Sequence, residues 1–250
     1  MPRLVSITIT KNNAAHIGDC LDSLGFCDER VVVDSGSSDD TVQIARAKGA
    51  RVTYHEWLGF GPQKNFALSL VEADWVLWLD ADEVVSPELA AAIRDAVQNG
   101  TADGYRISRL SMFCGRQIRH SGWHPDYVMR LFRRDKGRWT DAQGHDHVIL
   151  DGTVETLPGL ILHYPVDRLE DSIEKFNLYS TLGADNIVAS GRKVWFATGI
   201  VRGLFAFLRI YVLRAGFLDG REGFLLAVAN AEGTYYRFMK AWLASRQRRS

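Results

Sequence analysis

The sequence is poor in several features that mark common classes of protein. It has three cysteines in 250 residues, and no two of them form a Cys-x-x-Cys pair, so neither a disulfide framework nor a zinc site is indicated. Its formal net charge is zero, without the basic excess of a nucleic-acid-binding protein. With 46% apolar and 24% charged residues, it also lacks the signature of disorder. We therefore expect a folded protein with reduced thiols, as in the cytosol, and no nucleic acid among its partners.

Two kinds of signal motif are also missing. No Gly-x-Gly-x-x-Gly or Walker A pattern follows a predicted strand, which argues against a nicotinamide-dependent dehydrogenase and against a P-loop enzyme. No apolar leader with a cleavage site precedes the first strand pattern at Leu4–Thr10, so we expect no signal peptide.

A long apolar stretch at residues 194–214 is broken by two arginines. Arg202 and Arg209 are seven residues apart and so fall on one face of a helix, with tryptophan, phenylalanine and leucine around the rest. Two charges in the middle of the stretch argue against a membrane-spanning helix. The composition is typical of a helix that lies in a membrane interface. The alternative is a helix packed on the preceding domain or on a partner chain.

The charge is distributed unevenly along the chain. From residue 192 onward there are eleven Lys/Arg and three Asp/Glu, a net of +8, so the preceding part carries −8. This asymmetry favours a body that holds metal and a tail that contacts an anionic surface. We predict one domain at residues 1–166 and a helical, amphipathic, membrane-associating region at residues 167–250.

Strand and helix patterns alternate through the first hundred residues. Short apolar runs at Leu4–Thr10, 30–33, Arg51–Tyr54 and 75–79 indicate strands, with helical patterns between them. This alternation predicts an α/β fold with a mostly parallel, Rossmann-like sheet and helices on both faces. From residue 103 the pattern changes to alternating strands around a loop rich in Gly, His, Arg and Trp, which is typical of a lid or binding loop.

The stretch WVLWLDADE at residues 75–83 is the centre of this arrangement. The apolar run indicates a buried strand, and ligands in open α/β sheets bind at the carboxyl ends of such strands. Asp80 and Asp82 are two residues apart, so an extended backbone directs both carboxylates to one side. They repel each other unless a cation joins them, and a divalent ion shared with substrate phosphates would do so. A solvated acidic turn is the alternative.

Lys64 has an unusual predicted position. The stretch GFGPQKN at residues 59–65 opens a helix, with Pro62 in its first turn. The helix dipole favours anions at that end, so a lysine is poorly placed there unless it meets a phosphate or a ligand carbonyl. A solvated surface lysine is the alternative.

Four motifs in this order resemble the family 2 glycosyltransferases. They are SITITKN at residues 6–12, VVVDSGS at 31–37, GFGPQKNFA at 59–67 and LDADE at 79–83. RLFRR at 130–134 and GFLDG at 216–220 are similar to the branch that adds glucose to the lipopolysaccharide core. The resemblance covers nearly the whole chain. It implies a GT-A fold, a nucleotide-sugar donor, a divalent metal (Mg²⁺ or Mn²⁺) and inversion at the anomeric carbon.

The resemblance also implies roles for single residues. The donor-binding residues would be Thr10, Asp34, Lys64 and Asp80. The metal ligands would be Asp82, Asp80 and His163. Asp34 and Ser35 stand where many relatives carry two acids, so this chain departs from the family pattern at its nucleoside contact.

The family's catalytic acid motif corresponds to His145-Asp146 in this chain. An inverting displacement needs a base that deprotonates the acceptor hydroxyl on the face opposite the leaving group. We predict Asp146 as this base and Asp126 as the second candidate, while a capped turn is the structural alternative.

A further set of residues is predicted to bind the acceptor. Its members are Trp123, His124, Asp126 and Arg130. The two aromatic rings would stack on the acceptor sugar, although an ordinary buried tryptophan is the alternative. Arginines in this region could also meet acceptor phosphates, unless they form a solvated face; they are Arg116, Arg119, Arg130, Arg133 and Arg134.

The predicted function is a metal-dependent, inverting transfer of a hexose from a UDP-sugar donor to a heptose of the lipopolysaccharide inner core. Glucose is the expected sugar. The enzyme would work in peripheral contact with the cytoplasmic face of a bacterial inner membrane. A polyprenyl phosphate, another glycan or a peptide are alternative acceptors, and a nucleotide-sugar-binding scaffold without turnover is the alternative from another class.

Overall fold

The computed structural model describes residues 1–140 and 147–247. The chain forms two compact units. The first unit comprises Met1–Arg109 and Asp126–Tyr164, and the second comprises Leu110–Pro125 and the chain from Pro165 onward. The sequence-based domain boundary between residues 166 and 167 stays a prediction.

Four parallel strands form the core of the first unit. They are β1 (Leu4–Thr10), β2 (Glu29–Asp34), β3 (Arg51–Tyr54) and β4 (Trp75–Trp78). Their order in the sheet is β3-β2-β1-β4. β1 therefore lies in the middle, with β2 on one side and β4 on the other. Strands that are covered on both faces consist almost entirely of apolar residues, which is why the four residues of β4 are all buried.

Helices cover both faces of this sheet, as the sequence predicts. They are α1 (Ile17–Ser23), α2 (Thr41–Ala47), α3 (Phe60–Ser69) and α4 (Pro87–Asn99). Residues of α1, α2 and α4 share one buried cluster, which includes Leu21 and Leu89, whereas α3 packs in the other, which includes Ile7 and Ala67. Ser86 caps the N-terminus of α4, because its Oγ accepts a hydrogen bond from Leu89 N at 3.2 Å.

The remaining strands extend the sheet or lie beside it. They are β5 (Glu83–Val85), β6 (Gly104–Phe113), β7 (Arg116–Gln117), β8 (Asp126–Arg133), β9 (Gly137–Trp139), β10 (Val148–Leu150) and β11 (Val154–Val166). The order continues as β4-β8-β6-β11-β5, and β8 pairs antiparallel with both β4 and β6. β9 and β10 form a separate antiparallel pair. The result is the mixed α/β sheet of the predicted GT-A fold.

The second unit contains the C-terminal helices that the sequence predicts. They are α5 (Leu169–Ala189), α6 (Phe196–Leu208) and α7 (Gly220–Gln247), and α6 continues as a π-helical turn at Arg209–Leu213. A 3₁₀ turn at Gly216–Asp219 leads into α7. Gly203 lets α6 approach α7 closely, because a Cβ there would lie 3.2 Å from the carbonyl oxygen of Ala231. Lys240 on α7 donates hydrogen bonds to side chains of α5, among them Asn177 Oδ1 at 2.7 Å.

A continuous row of large apolar side chains on α6 and the π-helical turn is exposed. We call it the α6 apolar face, and its members are Ile200, Val201, Leu204, Phe205, Leu208, Val212 and Leu213. The segment Phe196–Leu213 is long and apolar enough to cross a membrane, with a mean hydropathy of 1.6, and 22% of it is buried.

Candidate active site

The predicted donor residues lie where the parallel strands of the first unit end. Thr10 pairs with Asp34 at the ends of β1 and β2, and Ile7 pairs with Trp78 on β4. Because the carboxyl ends of parallel strands meet at one edge of a sheet, Thr10, Asp34 and Asp80 share that edge. After β1, the chain adds β2 and β3 on one side of the sheet and then β4 on the other side of β1. Open α/β sheets bind ligands at such topological switch points.

Asp34 fastens the turn that follows β2. It is 4% exposed and accepts hydrogen bonds from Gly36 N at 2.9 Å, Ser37 N at 3.0 Å and Ser37 Oγ at 2.5 Å. Thr10 Oγ1, in contrast, is buried without a hydrogen-bond partner among the described residues. A buried hydroxyl normally has a partner, so this atom fits a contact with a polar ligand.

Asn12 joins the loop after β1 to the loop after β2. Its backbone N donates to Ser37 Oγ at 2.8 Å, and its side-chain Oδ1 accepts from Ser38 N at 2.8 Å. The two loops that line the donor edge are therefore fixed to each other. The sequence places Asn12 inside a family motif but does not reveal this reciprocal contact.

Lys64 on α3 is brought close to the acidic motif. The lysine is 9% exposed, and its Nζ lies 4.6 Å from the centre of the Trp78 ring. The adjacent Gln63 is fully buried and donates from Nε2 to Ser35 Oγ at 2.9 Å, which fixes the start of α3 against the loop after β2. Lys64 is therefore a buried cation beside the sheet edge, and not the solvated surface lysine of the alternative interpretation.

Asp80 is held by a buried arginine. Arg130 Nη2 donates to Asp80 Oδ2 at 2.6 Å and to Glu83 Oε1 at 2.5 Å, and Arg130 is 5% exposed. Burial raises the pKa of Asp80, but Arg130, followed by Lys64, outweighs this effect and holds the pKa below that of an ordinary aspartate. The carboxylate of Asp80 is thus kept ionised between two cationic side chains.

Glu83 is the second acid of this network. Its side chain is fully buried, and it accepts hydrogen bonds from Asp80 N at 3.0 Å and from Arg109 Nη1 at 3.2 Å as well as from Arg130. Burial raises the pKa of Glu83, and the arginines offset only part of that rise. Conversely, the two carboxylates raise the pKa of Arg130 despite its burial, so the guanidinium stays charged.

Asp126, the second candidate for the base, forms an ion pair. Its Oδ2 accepts from Arg109 Nε at 2.9 Å and from Arg109 Nη2 at 2.7 Å. The two residues face each other across β6 and β8. Arg109 thereby connects Asp126 to Glu83 and, through it, to Asp80.

Two of the three predicted metal ligands are brought together. His163 Nε2 lies 3.6 Å from Asp82 Oδ2, and Asp82 O accepts a hydrogen bond from Tyr164 N at 2.9 Å. Within residues 1–140 and 147–247, no three His, Cys, Asp or Glu side chains form a group that could hold a metal ion by themselves. Mg²⁺ is commonly bound by one or two carboxylates together with substrate phosphates, so Asp82 beside His163 fits a cation that arrives with a diphosphate.

The predicted base Asp146, with His145, lies outside the described residues. The residues on either side of that segment are described: Thr140 N donates to His147 O at 3.1 Å, next to the pair of β9 and β10. Trp139 precedes them and is tied to Asn65 of α3 by two hydrogen bonds, from Trp139 N at 2.9 Å and to Trp139 O at 3.0 Å. Trp139, the last residue of β9, is therefore anchored to α3, the helix that carries Lys64.

The predicted acceptor residues are divided between the two units. Asp126 and Arg130 belong to the first unit, and Trp123 and His124 belong to the second. Trp123 is partly buried and packs edge-on against Phe113, with ring centres 6.1 Å apart. The ring of Trp123 thus contributes to the core of the second unit, as the structural alternative expects, while part of its surface stays accessible.

Three residues of the site are not predicted from the sequence: Glu83, Arg109 and Gln63. Glu83 could have been found, because it is two residues before Val85 in a short strand and so shares a side with a buried residue. The role of Arg109 depends on the register of β6 and β8, and that of Gln63 on a contact 28 residues away. Neither of these leaves a local pattern in the sequence.

Comparison with known proteins gives a family match and several long alignments. The sequence profile described as Glycosyl transferase family 2 matches residues 6–152. An uncharacterized glycosyltransferase of Rickettsia prowazekii is 31% identical over 253 residues, covering 96% of this chain and 87% of that protein. The lipopolysaccharide core biosynthesis glycosyltransferase LpsC of Rhizobium meliloti is 33% identical over 257 residues, covering 95% of this chain and 90% of that protein.

Solved structures show weaker likeness. Glucosyl-3-phosphoglycerate synthase from Mycobacterium tuberculosis, in complex with Mn²⁺, UDP and glucosyl-3-phosphoglycerate, is 25% identical with a TM-score of 0.38, covering 44% of each chain. Residues 1–349 of TarS from S. aureus are 16% identical with a TM-score of 0.48, covering 98% of this chain and 91% of that one. The assignment does not depend on either structure. The profile match and the relatives above 30% identity along nearly the whole chain show that this protein belongs to glycosyl transferase family 2.

Proposed function

We propose that this family 2 glycosyltransferase moves a hexose, with glucose the expected sugar, from a UDP donor to a heptose of the lipopolysaccharide inner core, with inversion of the anomeric carbon. The observation that carries the proposal is the position of Asp80, an ionised carboxylate at the end of β4 between Arg130 and Lys64. The likeness to a lipopolysaccharide core glycosyltransferase along 95% of this chain supports the acceptor class.

The donor would bind along the edge formed by the ends of β1, β2 and β4. Thr10, whose hydroxyl has no partner in the described part of the chain, and Asp34 would line the nucleoside pocket, and Asp80 would lie near the ribose. Lys64 would face the diphosphate, because a buried cation next to a carboxylate-rich edge can neutralise phosphate charge. This arrangement would orient the donor sugar for displacement. It does not determine which hexose the donor carries.

Asp82, Asp80 and His163 are the residues that would hold Mg²⁺ or Mn²⁺. The ion, when bound, would act as a Lewis acid that stabilises the leaving diphosphate. Asp82 is 26% exposed at its side chain, which leaves it accessible to a cation that is shared with the donor.

Asp146 would take the proton from the acceptor hydroxyl as the new glycosidic bond forms. Two observations support Asp146 over Asp126. The flanking residues are anchored through Trp139 to the helix of Lys64, and the Oδ2 atom of Asp126 already accepts two hydrogen bonds from Arg109. A base is effective only when it is within hydrogen-bonding reach of the proton that it removes.

The acceptor-binding roles predicted for Trp123, His124, Asp126 and Arg130 are part of the proposal. Arg130 uses Nη2 for Asp80 and Glu83, but its Nε is buried without a partner among the described residues and remains for a ligand. A lipid-linked acceptor agrees with a peripheral position at the cytoplasmic face of the inner membrane. The α6 apolar face would make that contact, since it lies in a stretch from residue 192 to 218 with five basic and no acidic residues.

Calorimetric titration with UDP-glucose, UDP-galactose, UDP-N-acetylglucosamine and GDP-mannose, with and without Mn²⁺, tests the donor site. We expect metal-dependent binding of one UDP-sugar and its loss in Asp82→Asn, while Asp95→Asn on the exposed side of α4 serves as the matched control. Binding with no release of UDP on addition of any acceptor would favour the scaffold alternative. Transfer to a polyprenyl phosphate or a peptide in place of heptose would refute the proposed acceptor.

A further inference from the structure

The second unit contains a polar cavity that the proposed chemistry does not use. It has a volume of about 650 Å³ and lies between the β6–β7 hairpin and the 3₁₀ turn before α7. The lining residues that matter for its chemistry are Arg116, Gln117, Arg119, His120, Leu218 and Glu222.

A tight hairpin presents the first cationic group. Phe113 pairs with Arg116 across a two-residue turn, and both turn residues have positive φ, 48° at Cys114 and 82° at Gly115. This is the combination that a type I′ turn requires. Arg116 then lies against Gly220, where a Cβ would be 3.2 Å from the guanidinium carbon, so the absence of a side chain at residue 220 leaves room for the arginine.

Asp219 fixes the opposite wall of the cavity. Its carboxylate is buried and accepts hydrogen bonds from Arg119 N at 3.0 Å, His120 N at 3.1 Å and Ser121 Oγ at 2.8 Å, and His120 Nδ1 lies 3.1 Å from it. These donors satisfy the hydrogen-bonding capacity of the Asp219 carboxylate. The carboxylate therefore holds the loop that carries Arg119 and His120 in place beside the cavity.

The two guanidinium groups have weak or neutral partners. Arg119 Nη2 donates to the amide oxygen of Gln117 at 2.9 Å, and Arg116 Nη1 is 3.8 Å from Glu222 Oε2, beyond hydrogen-bonding distance. A guanidinium offers five donors in a planar arrangement that matches a phosphate. Two of them lining one cavity make a site for a phosphate group.

Acidic residues lie near the cavity, so the positive charge of these two arginines matters for binding an anion there. Burial raises the pKa of the Cys114 thiol, which also lines the cavity, and Asp171, Glu170 and Glu222 raise it further. Arg116 and Arg119 therefore supply the positive charge that offsets these nearby acids in the cavity.

The rim of the cavity is apolar on one side. Leu218 lines the cavity and is 55% exposed, and its neighbour Phe217 is exposed as well. Both lie at the end of the acid-free stretch, residues 192–218, that includes the α6 apolar face. A ligand with a phosphate next to a hydrocarbon region matches this combination, whereas a free inorganic phosphate leaves the apolar rim unused.

We propose that this cavity binds a phosphate group carried by a membrane amphiphile. The proposal rests on the proposed function in that a phosphorylated lipid-linked glycan is both amphiphile and acceptor. The same phosphate chemistry could come from the headgroup of a bilayer phospholipid, and the experiment separates these two sources.

The test is flotation of the full-length protein with phosphatidylcholine vesicles of matched negative charge. One set carries diphosphoryl lipid A, one phosphatidylglycerol, and one cholesteryl hemisuccinate, which has a carboxylate and no phosphate. We expect an apparent affinity for lipid A vesicles roughly tenfold or more above that for the carboxylate vesicles, because the guanidinium pair matches phosphate geometry. The double variant Arg116→Gln/Arg119→Gln should lose this preference.

The control is Arg192→Gln/Arg221→Gln, which removes the same charge from exposed residues outside the cavity lining. It should bind all anionic vesicles more weakly but keep the preference for phosphate. An equal preference for phosphatidylglycerol and lipid A would support the site and assign it to bilayer headgroups. No preference in the wild type, or a preference that persists in the cavity variant, would overturn the proposal.

Titration of the wild type and both variants with UDP-glucose separates this proposal from the proposed function. Absence of UDP-glucose binding by a wild type that keeps its phosphate preference would refute the donor and leave the cavity site standing. Intact donor binding without a phosphate preference would refute the cavity site alone.

Discussion

Arg130 donates a hydrogen bond of 2.6 Å to Asp80, 50 residues earlier in the chain, and both side chains belong to the edge of the first unit where the donor is proposed to bind. The same Nη2 atom contacts the fully buried Glu83. The guanidinium of Arg130 thus compensates the charge of two carboxylates and orients the side chain of Asp80. The network therefore couples the stability of the first unit to the geometry of Asp80.

Replacing Arg130 should destabilise the protein and weaken donor binding together. Arg130→Met keeps most of the side-chain volume but leaves Glu83 and Asp80 without their main cation, and breaking a buried ion pair costs about 3–5 kcal/mol. Since Asp80 is one-third exposed, we expect a loss near 3 kcal/mol in the free energy of unfolding, measured by urea denaturation. Arg138→Met, at an exposed residue of β9, is the control. An unchanged unfolding midpoint in Arg130→Met would contradict the importance of the pair.

The sequence predicts the acidic motif and Lys64, but not the arginines that hold the acidic side chains. The acidic motif after β4 and the position of Lys64 follow from local patterns, because a run of buried apolar residues and a helix start are visible within ten residues. The partners of Asp80 do not, since Arg130 comes from a strand that joins the sheet antiparallel, and Arg109 meets Asp126 only through the β6–β8 register. Long-range pairing leaves no periodicity that a single sequence reveals.

The same contrast holds for the second unit. Helical periodicity and the apolar run predict α5 and α6, but nothing in the local pattern shows that Asp219 binds a loop about 100 residues earlier. The motif GFLDG at residues 216–220 is recognised in the sequence only as a resemblance. The structure shows its physical role, because the buried carboxylate of Asp219 holds residues 119–121.

Asp103 should make stability depend on pH in the acidic range. Hydrogen bonds from Lys136 Nζ at 2.7 Å and from Thr153 N at 2.9 Å lower its pKa from 3.8 to about 2. An acid whose pKa is depressed by folding adds stability above its unfolded pKa, and this contribution is lost as the pH falls through the folded value. Wild type should therefore be more stable than Asp103→Asn at pH 7, and the difference should shrink between pH 3.8 and about 2. Urea titrations at several pH values measure it, and a constant difference would contradict the assignment.

Asn65 should affect transfer more than donor binding. Its amide holds both the N–H and the C=O of Trp139 and so anchors the strand before the segment of Asp146. Asn65→Ala leaves two backbone groups without their partner, at a cost of about 1–3 kcal/mol each. We expect the transfer rate to fall roughly tenfold or more while UDP-sugar binding changes little. Asn99→Ala, which removes only an exposed contact to Asp95, is the control. Equal losses of binding and rate would show that Asn65 acts on the donor site instead.

Charge placed on the α6 apolar face should release the protein from anionic membranes. Leu204 and Leu208 are one helical turn apart and more than half exposed, so Leu204→Glu/Leu208→Glu adds two negative charges to the face without disturbing the buried Gly203 side of α6. Burying a leucine in the interface contributes about 1.5–3 kcal/mol, so the affinity for phosphatidylglycerol vesicles should fall by roughly a hundredfold or more. Leu58→Glu, at an equally exposed leucine of the first unit, should have a small effect. Unchanged flotation of the double variant would contradict a membrane contact at this face. The alternative is a contact with a partner chain. In that case, analytical ultracentrifugation would show an oligomer of the wild type that the variant fails to form.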